Sequence, residues 1–136
     1  MKKIISLLLV LVCLLTLSAC IKSGDAKDVK INQISSELYT QDEISDALNI
    51  AINYFEKEFE GCTLKEIEYI GDDENAGYQE FAERNNSQDV MVFVSTFDVD
   101  SSGGDGSLNS NYTYENWKWI LVRNADGKWE HVDHGY

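Results

Sequence analysis

The chain has 136 residues, enough for one small domain around a single core. Its 24 acidic residues against 11 basic ones give a net charge of −13. Binding to a phosphate backbone needs a basic face, so no nucleic-acid partner is expected.

The amino terminus carries Lys2 and Lys3, an apolar run from Ile4 to Leu17, and then Leu17-Ser18-Ala19-Cys20. A basic start ahead of a short apolar stretch reads as an export signal. The run falls short of the roughly 20 apolar residues of a comfortable membrane span. Leu17-Ser18-Ala19-Cys20 resembles the lipobox of bacterial lipoproteins. That resemblance implies diacylglyceryl transfer to the Cys20 thiol, removal of residues 1–19 and a lipid-anchored protein on the extracytoplasmic face of the cell membrane. The plainer alternative is an ordinary secretory signal with a chance cysteine. Two or three acyl chains hold a protein stably on a bilayer, where one is marginal. Cleavage leaves 117 residues and, by removing Lys2 and Lys3 but no acid, takes the charge from −13 to −15. Such a domain should stand off anionic lipid rather than lie flat on it.

Of the three cysteines, Cys13 leaves with the signal and Cys20 carries the lipid, so Cys62 has no partner for an intramolecular disulfide. A lone cysteine after Gly61 and ahead of a strand reads as a small buried hydrophobe. A nucleophilic role would need a histidine or a cationic setting, and the two histidines lie at the far end of the chain.

Residues 20–39 are polar with few large apolar groups and read as a tether, with a short strand around Val29-Lys30-Ile31. The domain is expected over 40–136. Thr40-Gln41-Asp42-Glu43 fits a capping box, and Ile44, Ala47, Leu48, Ala51, Ile52, Phe55 and Phe59 follow at helical spacing, with Gly61 as a stop. Cys62 to Ile70 alternates as a strand, residues 71–75 form a loop, and Tyr78 to Asn85 suggests a short second helix. Asp89 to Phe97 is apolar on both faces through Val90–Val94 and reads as a central strand. Asn116 to Arg123 and Lys128 to His134 are two strands joined by the hairpin turn Asn124-Ala125-Asp126-Gly127.

This order predicts an α+β fold, with one long amphipathic helix on a curved antiparallel sheet of about four strands plus a short second helix. The leading helix and the meander Trp117-Lys118-Trp119-Ile120-Leu121-Val122-Arg123, turn, Gly127-Lys128-Trp129 resemble the small cystatin-like or NTF2-like lipoproteins of Gram-positive bacteria. More narrowly, residues 97–129 resemble a domain family of unknown function in Firmicute lipoproteins, the DUF4829 type. The resemblance spans roughly residues 40–136, implies the fold and the exported setting, and brings no catalytic residue with it.

Asp98-Val99-Asp100-Ser101-Ser102-Gly103 matches the first half of an EF-hand calcium loop, with Asp105 close behind. The twelfth position is Asn109, which cannot give a bidentate carboxylate, and the flanks are strands rather than helices. Asp98, Asp100, Ser102 and Asp105 are thus candidate ligands of a weak calcium site, beside the alternative of a polar connection whose glycines allow positive φ. A phosphate cradle lacks its lysine and its helix start. Tyr112, Tyr114 and Trp117 form a candidate ligand face, with core packing as the alternative, more so for Trp119. His131 and His134 should point to opposite faces of an extended strand and share no metal unless the chain bends. Glu56, Glu58 and Glu60 crowd the helix end as a solvated acidic face.

No catalytic set emerges. The residues support a lipid-anchored extracytoplasmic binding or interaction module for an unknown protein or small molecule, without a cofactor. A small pocket hydrolase or isomerase on an NTF2-like fold and a weakly calcium-binding module stand as alternatives. An open space between the helix and the sheet would favour the enzyme; a space filled by Phe55, Phe59, Trp117 and Trp119 would count against it.

Overall fold

A computed structural model describes residues 23–136. The expected signal 1–19 and Cys20 lie outside the described residues. In chain order the elements are β1 (Lys30–Asn32), α1 (Gln41–Glu58), β2 (Cys62–Tyr69), α2 (Asp72–Asn75), a 3-10 turn (Ala76–Tyr78), α3 (Gln79–Arg84), β3 (Val90–Val99), β4 (Thr113–Arg123) and β5 (Trp129–Gly135). The fold is α+β. Its sheet has five strands in sequence order, antiparallel from β2 to β5 but with β1 parallel to β2, so the sheet is mixed rather than wholly antiparallel.

The fifth strand comes from the segment that composition reads as a tether. Gly24 N–H donates to the Glu56 carbonyl at 2.9 Å, Asp25 N–H to the Cys62 carbonyl at 2.9 Å, and Leu64 N–H to the Asp25 carbonyl at 2.8 Å. Ala26 is buried, and Val29, Ile34 and Tyr39 pack against the core. Asp72 then receives Ser36 Oγ at 2.5 Å, Glu37 N–H at 2.7 Å and Tyr69 Oη at 2.9 Å, which holds its carboxyl below the usual range. The chain is therefore seated on the domain from Gly24 onward. Hydrogen bonds to the open edge of β2 supply the pairing that its sparse apolar content does not announce.

α1 begins as its sequence dictates. Thr40 Oγ1 accepts from Glu43 N–H at 3.2 Å while Glu43 Oε2 accepts from Thr40 N–H at 2.8 Å, so both donors are satisfied reciprocally. Ile44, Ala47, Leu48, Ala51 and Phe55 form the buried stripe, which lies across the sheet. The helix ends at Glu58 with Phe59 as C-cap; Gly61, two residues on, takes φ +71° to turn the chain into β2.

Three strands of the sheet carry one extra residue each. The register shifts at Lys65 in β2, around Glu115-Asn116 in β4, and at Val132 in β5, where His131 pairs with Leu121 but Asp133 with Ile120. A β-bulge bends its strand and reverses the side on which later residues fall. In β2 the buried set accordingly passes from Cys62 and Leu64 to Ile67 and Tyr69. Asn116 adopts φ +57°, a left-handed conformation that asparagine tolerates better than most residues.

β3 is central and buried on both sides, as its apolar run predicts. Met91, Phe93 and Phe97 join the main core under α1; Val90 and Val92 join Ala82, Ile120 and Val122 under α3. Between the layers, buried Asn75 donates from Nδ2 to the Val90 carbonyl and accepts from Val92 N–H, both at 2.9 Å. Asn75→Ala removes both bonds and strands a buried donor, which costs about 2 kcal/mol. Urea unfolding should show the midpoint falling with an unchanged slope, whereas an unchanged midpoint would mean that the pair contributes nothing.

Candidate functional site

The bulges gather aromatic and imidazole rings at the carboxy-terminal end of α1. Tyr114 lies before the β4 bulge and Trp117 after it, yet their rings meet at 5.3 Å, and both lie against Phe97. Phe59 reaches Trp119 at 5.0 Å and Trp117 at 6.1 Å. Trp119 is fully buried and donates from Nε1 to Ser95 Oγ at 2.8 Å. Phe55 and Phe59 stack 5.2 Å apart over this group, and Trp117 is half-buried. The space between helix and sheet is thus occupied by Phe55, Phe59 and Trp119.

His131 and His134 do not point to opposite faces. The extra residue Val132 reverses the alternation between them, so both rings lie toward α1, with His134 Nδ1 and His131 Nε2 3.2 Å apart. Tyr54 stacks on His131 at 3.9 Å, and His134 stacks on Trp117 at 5.9 Å. Burial pushes the His131 imidazolium down to about 4, with His134 adding to the shift; burial lowers His134 as well. Both rings are therefore neutral near pH 7, and one nitrogen of the pair can donate to the other.

A cleft of about 220 Å³ opens beside these rings, lined by Tyr54, Glu58, Phe59, Asp105, Ser107, Leu108, Trp117 and His134. Its walls hold aromatic rings and two carboxylates but no lysine or arginine. Ser107 donates to Asp105 Oδ1 from N–H at 2.9 Å and from Oγ at 2.5 Å, which lowers the carboxyl and keeps it charged. Trp117 contributes an indole whose buried Nε1 finds no acceptor among the described residues. Of the candidate ligand face, Trp117 lines the cleft, Tyr114 is buried behind it, and Tyr112 is half-exposed with its ring 4.9 Å from Tyr114.

The glycine-rich loop packs over the turn between α1 and β2. Asp100 N–H donates to the Gly61 carbonyl at 2.9 Å, and a side chain at Gly61 would meet Ser102 Oγ at 2.7 Å. The four calcium-ligand candidates are engaged in three separate places, Asp100 with Ser102 in one of them. Asp98 accepts from Thr113 Oγ1 at 2.6 Å and faces Lys65 Nζ at 3.9 Å. Asp100 accepts from Ser102 N–H and Oγ, and Asp105 turns to Ser107 instead. Among the described residues, no three histidine, cysteine, aspartate or glutamate side chains gather as a metal site. Cys62 is buried, and burial together with Asp100 and Asp105 raises its thiol to about 11, as befits a packed rather than a reactive cysteine.

No family model, curated protein or solved structure matches the chain.

Sequence reasoning found Trp117, Asp105 and Tyr114 but missed Tyr54, Glu58, Leu108 and His134 as neighbours. Tyr54 falls at the edge of the helical stripe, and His134 is on the cleft side only because of the bulge.

The histidine pair sets a pH dependence. A histidine whose folded pKa lies below its unfolded value keeps its full stabilising contribution above about pH 6.5 and loses it as pH falls toward about 4. Thermal melts should therefore fall in temperature between pH 6.5 and 4. His131→Gln should flatten that slope; an unchanged slope would show that His131 is not the buried neutral group described.

Proposed function

We propose that this protein is a lipid-anchored extracytoplasmic binding module whose ligand site is the cleft at the carboxy-terminal end of α1. The anchor reading rests on Leu17-Ser18-Ala19-Cys20, with the acyl chains on Cys20. The α+β fold is consistent with a cystatin-like or NTF2-like domain; the DUF4829-type reading rests on the sequence resemblance of residues 97–129 alone. The space under α1, filled by Phe55, Phe59 and Trp119 with a cavity of only about 40 Å³ beside Leu48 and Phe93 among the described residues, favours a binder over a pocket enzyme.

The observation that carries the ligand class is the lining: aromatic faces of Tyr54 and Trp117 beside the carboxylates of Asp105 and Glu58, the latter 4.0 Å from Lys57 Nζ. Ring faces attract cations through their quadrupole, and carboxylates accept charge-assisted hydrogen bonds. The complementary ligand is small and bears a protonated amine. Calorimetric titration of the protein with ethanolamine should give saturable heat that its uncharged analogue ethylene glycol does not. Asp105→Asn and Glu58→Gln should each weaken it several-fold. Equal heats for the two compounds, or no effect of either substitution, would refute the ligand class. For the anchor, mass spectrometry of the amino-terminal peptide should find a diacylglyceryl thioether on Cys20, whereas a free Cys20 thiol would refute it.

A further inference from the structure

We infer that the carboxy-terminal end of α1 faces the bilayer, so that the cleft opens onto the lipid headgroup layer. The inference rests on the reading of Cys20 as the lipid-bearing residue and goes beyond it, because an anchor alone sets no orientation.

Gly24 is fixed in place. Its N–H is bonded to Glu56 in the last turn of α1, and a Cβ there would meet the Phe55 carbonyl oxygen at 2.4 Å. Asp25 is held to β2 on both sides by Cys62 and Leu64. Only residues 21–23 separate Cys20 from this docked point. Fully extended, such a link reaches about 14 Å. α1 has 18 residues and is about 27 Å long. The link cannot run the length of the helix, so the far end, with Thr40 and the 124–128 hairpin turn, cannot face the membrane. What lies beside Gly24 must. That end also carries Glu58 and Phe59 of the cleft and the loop over Gly61.

Charge does not prevent this. Aspartates and glutamates at that end repel anionic lipid, but physiological salt screens such forces beyond about 8 Å. Fully extended, the link exceeds that distance and is still too short to let the domain turn over. Lys27 and Lys57 flank Gly24 with side chains 75% and 81% exposed, each about 4 Å from a carboxylate, Asp25 and Glu58, and within reach of headgroup phosphates. The expectation of a domain standing well off the surface on a long tether gives way to one held close, with a fixed end down. An amine-bearing ligand would then be met as a headgroup.

Site-specific quenching tests this. The lipidated full chain, labelled with a fluorophore at Ser101→Cys or at Asp126→Cys, is placed in phosphatidylglycerol vesicles containing lipid with a nitroxide on its headgroup. Both positions are exposed, and Cys62 is buried. Quenching should be several-fold stronger at 101, in the loop over Gly61, than at 126, in the hairpin turn. A flexible Gly/Ser insertion between Lys22 and Ser23, longer than α1, should remove the difference while the protein stays bound. Stable association with equal quenching at the two sites, or stronger quenching at 126, would overturn the orientation alone. Loss of vesicle association would refute the anchor, and the orientation with it.

Discussion

Pairing across the sheet requires each strand to stay in register with its neighbour, and one extra residue in β2, β4 and β5 shifts that register near the carboxy-terminal end of α1. Side chains in a strand alternate with period two, so each insertion moves everything beyond it to the other face. Without the shift in β4, Tyr114 and Trp117 would lie on opposite sides. Without the shift in β5, His134 would leave His131 and Trp117. The ring cluster, the neutral histidine pair and the wall of the cleft all follow from these displacements.

The result is a domain with two different ends. At the amino-terminal end of α1, Arg123 bonds Glu43 at 2.9 Å, approaches Asp89 at 3.1 Å and lies 4.7 Å over the Trp129 ring, beside a groove of about 420 Å³ that Asp46 and Lys128 also line. At the other end, rings and carboxylates border an open cleft. The buried Cys62 thiol is raised and the half-buried histidines are lowered by the same cause, loss of water around the charged form. Among the residues that line the cleft, Asp105 and Glu58 carry the charge, while Phe59 belongs to both the cleft and the core.

Some of this was legible in the sequence. Thr40 and Glu43 announced the start of α1, its stripe gave the buried face, and Val90–Val94 announced a strand covered on both sides. Those signals are local: a cap needs four residues and an amphipathic period needs about ten. The bulges were not legible, because Lys65, Glu115 and Val132 are ordinary strand residues, and Asn116 alone hints at a left-handed backbone. A strict two-residue period therefore separated His131 from His134. Residues 71–75, read as a loop, hold the short helix α2, whose Asn75 makes two bonds to β3 that depend on tertiary contact. In the amino-terminal segment the short strand near Lys30 was legible, but the docking from Gly24 was not, for a related reason. Its docking uses backbone hydrogen bonds to β2, which any sequence can make, and a glycine whose place beside Phe55 no composition reveals.

The displacement of His134 onto the α1 side is the claim on which the site stands. A nuclear Overhauser spectrum of the isotopically labelled protein tests it directly. Cross-peaks should connect the Tyr54 ring with both His131 and His134, and the His134 ring with Trp117. Contacts from His134 to Phe81 or Val122, on the α3 side of the sheet, would contradict the bulge and the cleft built on it.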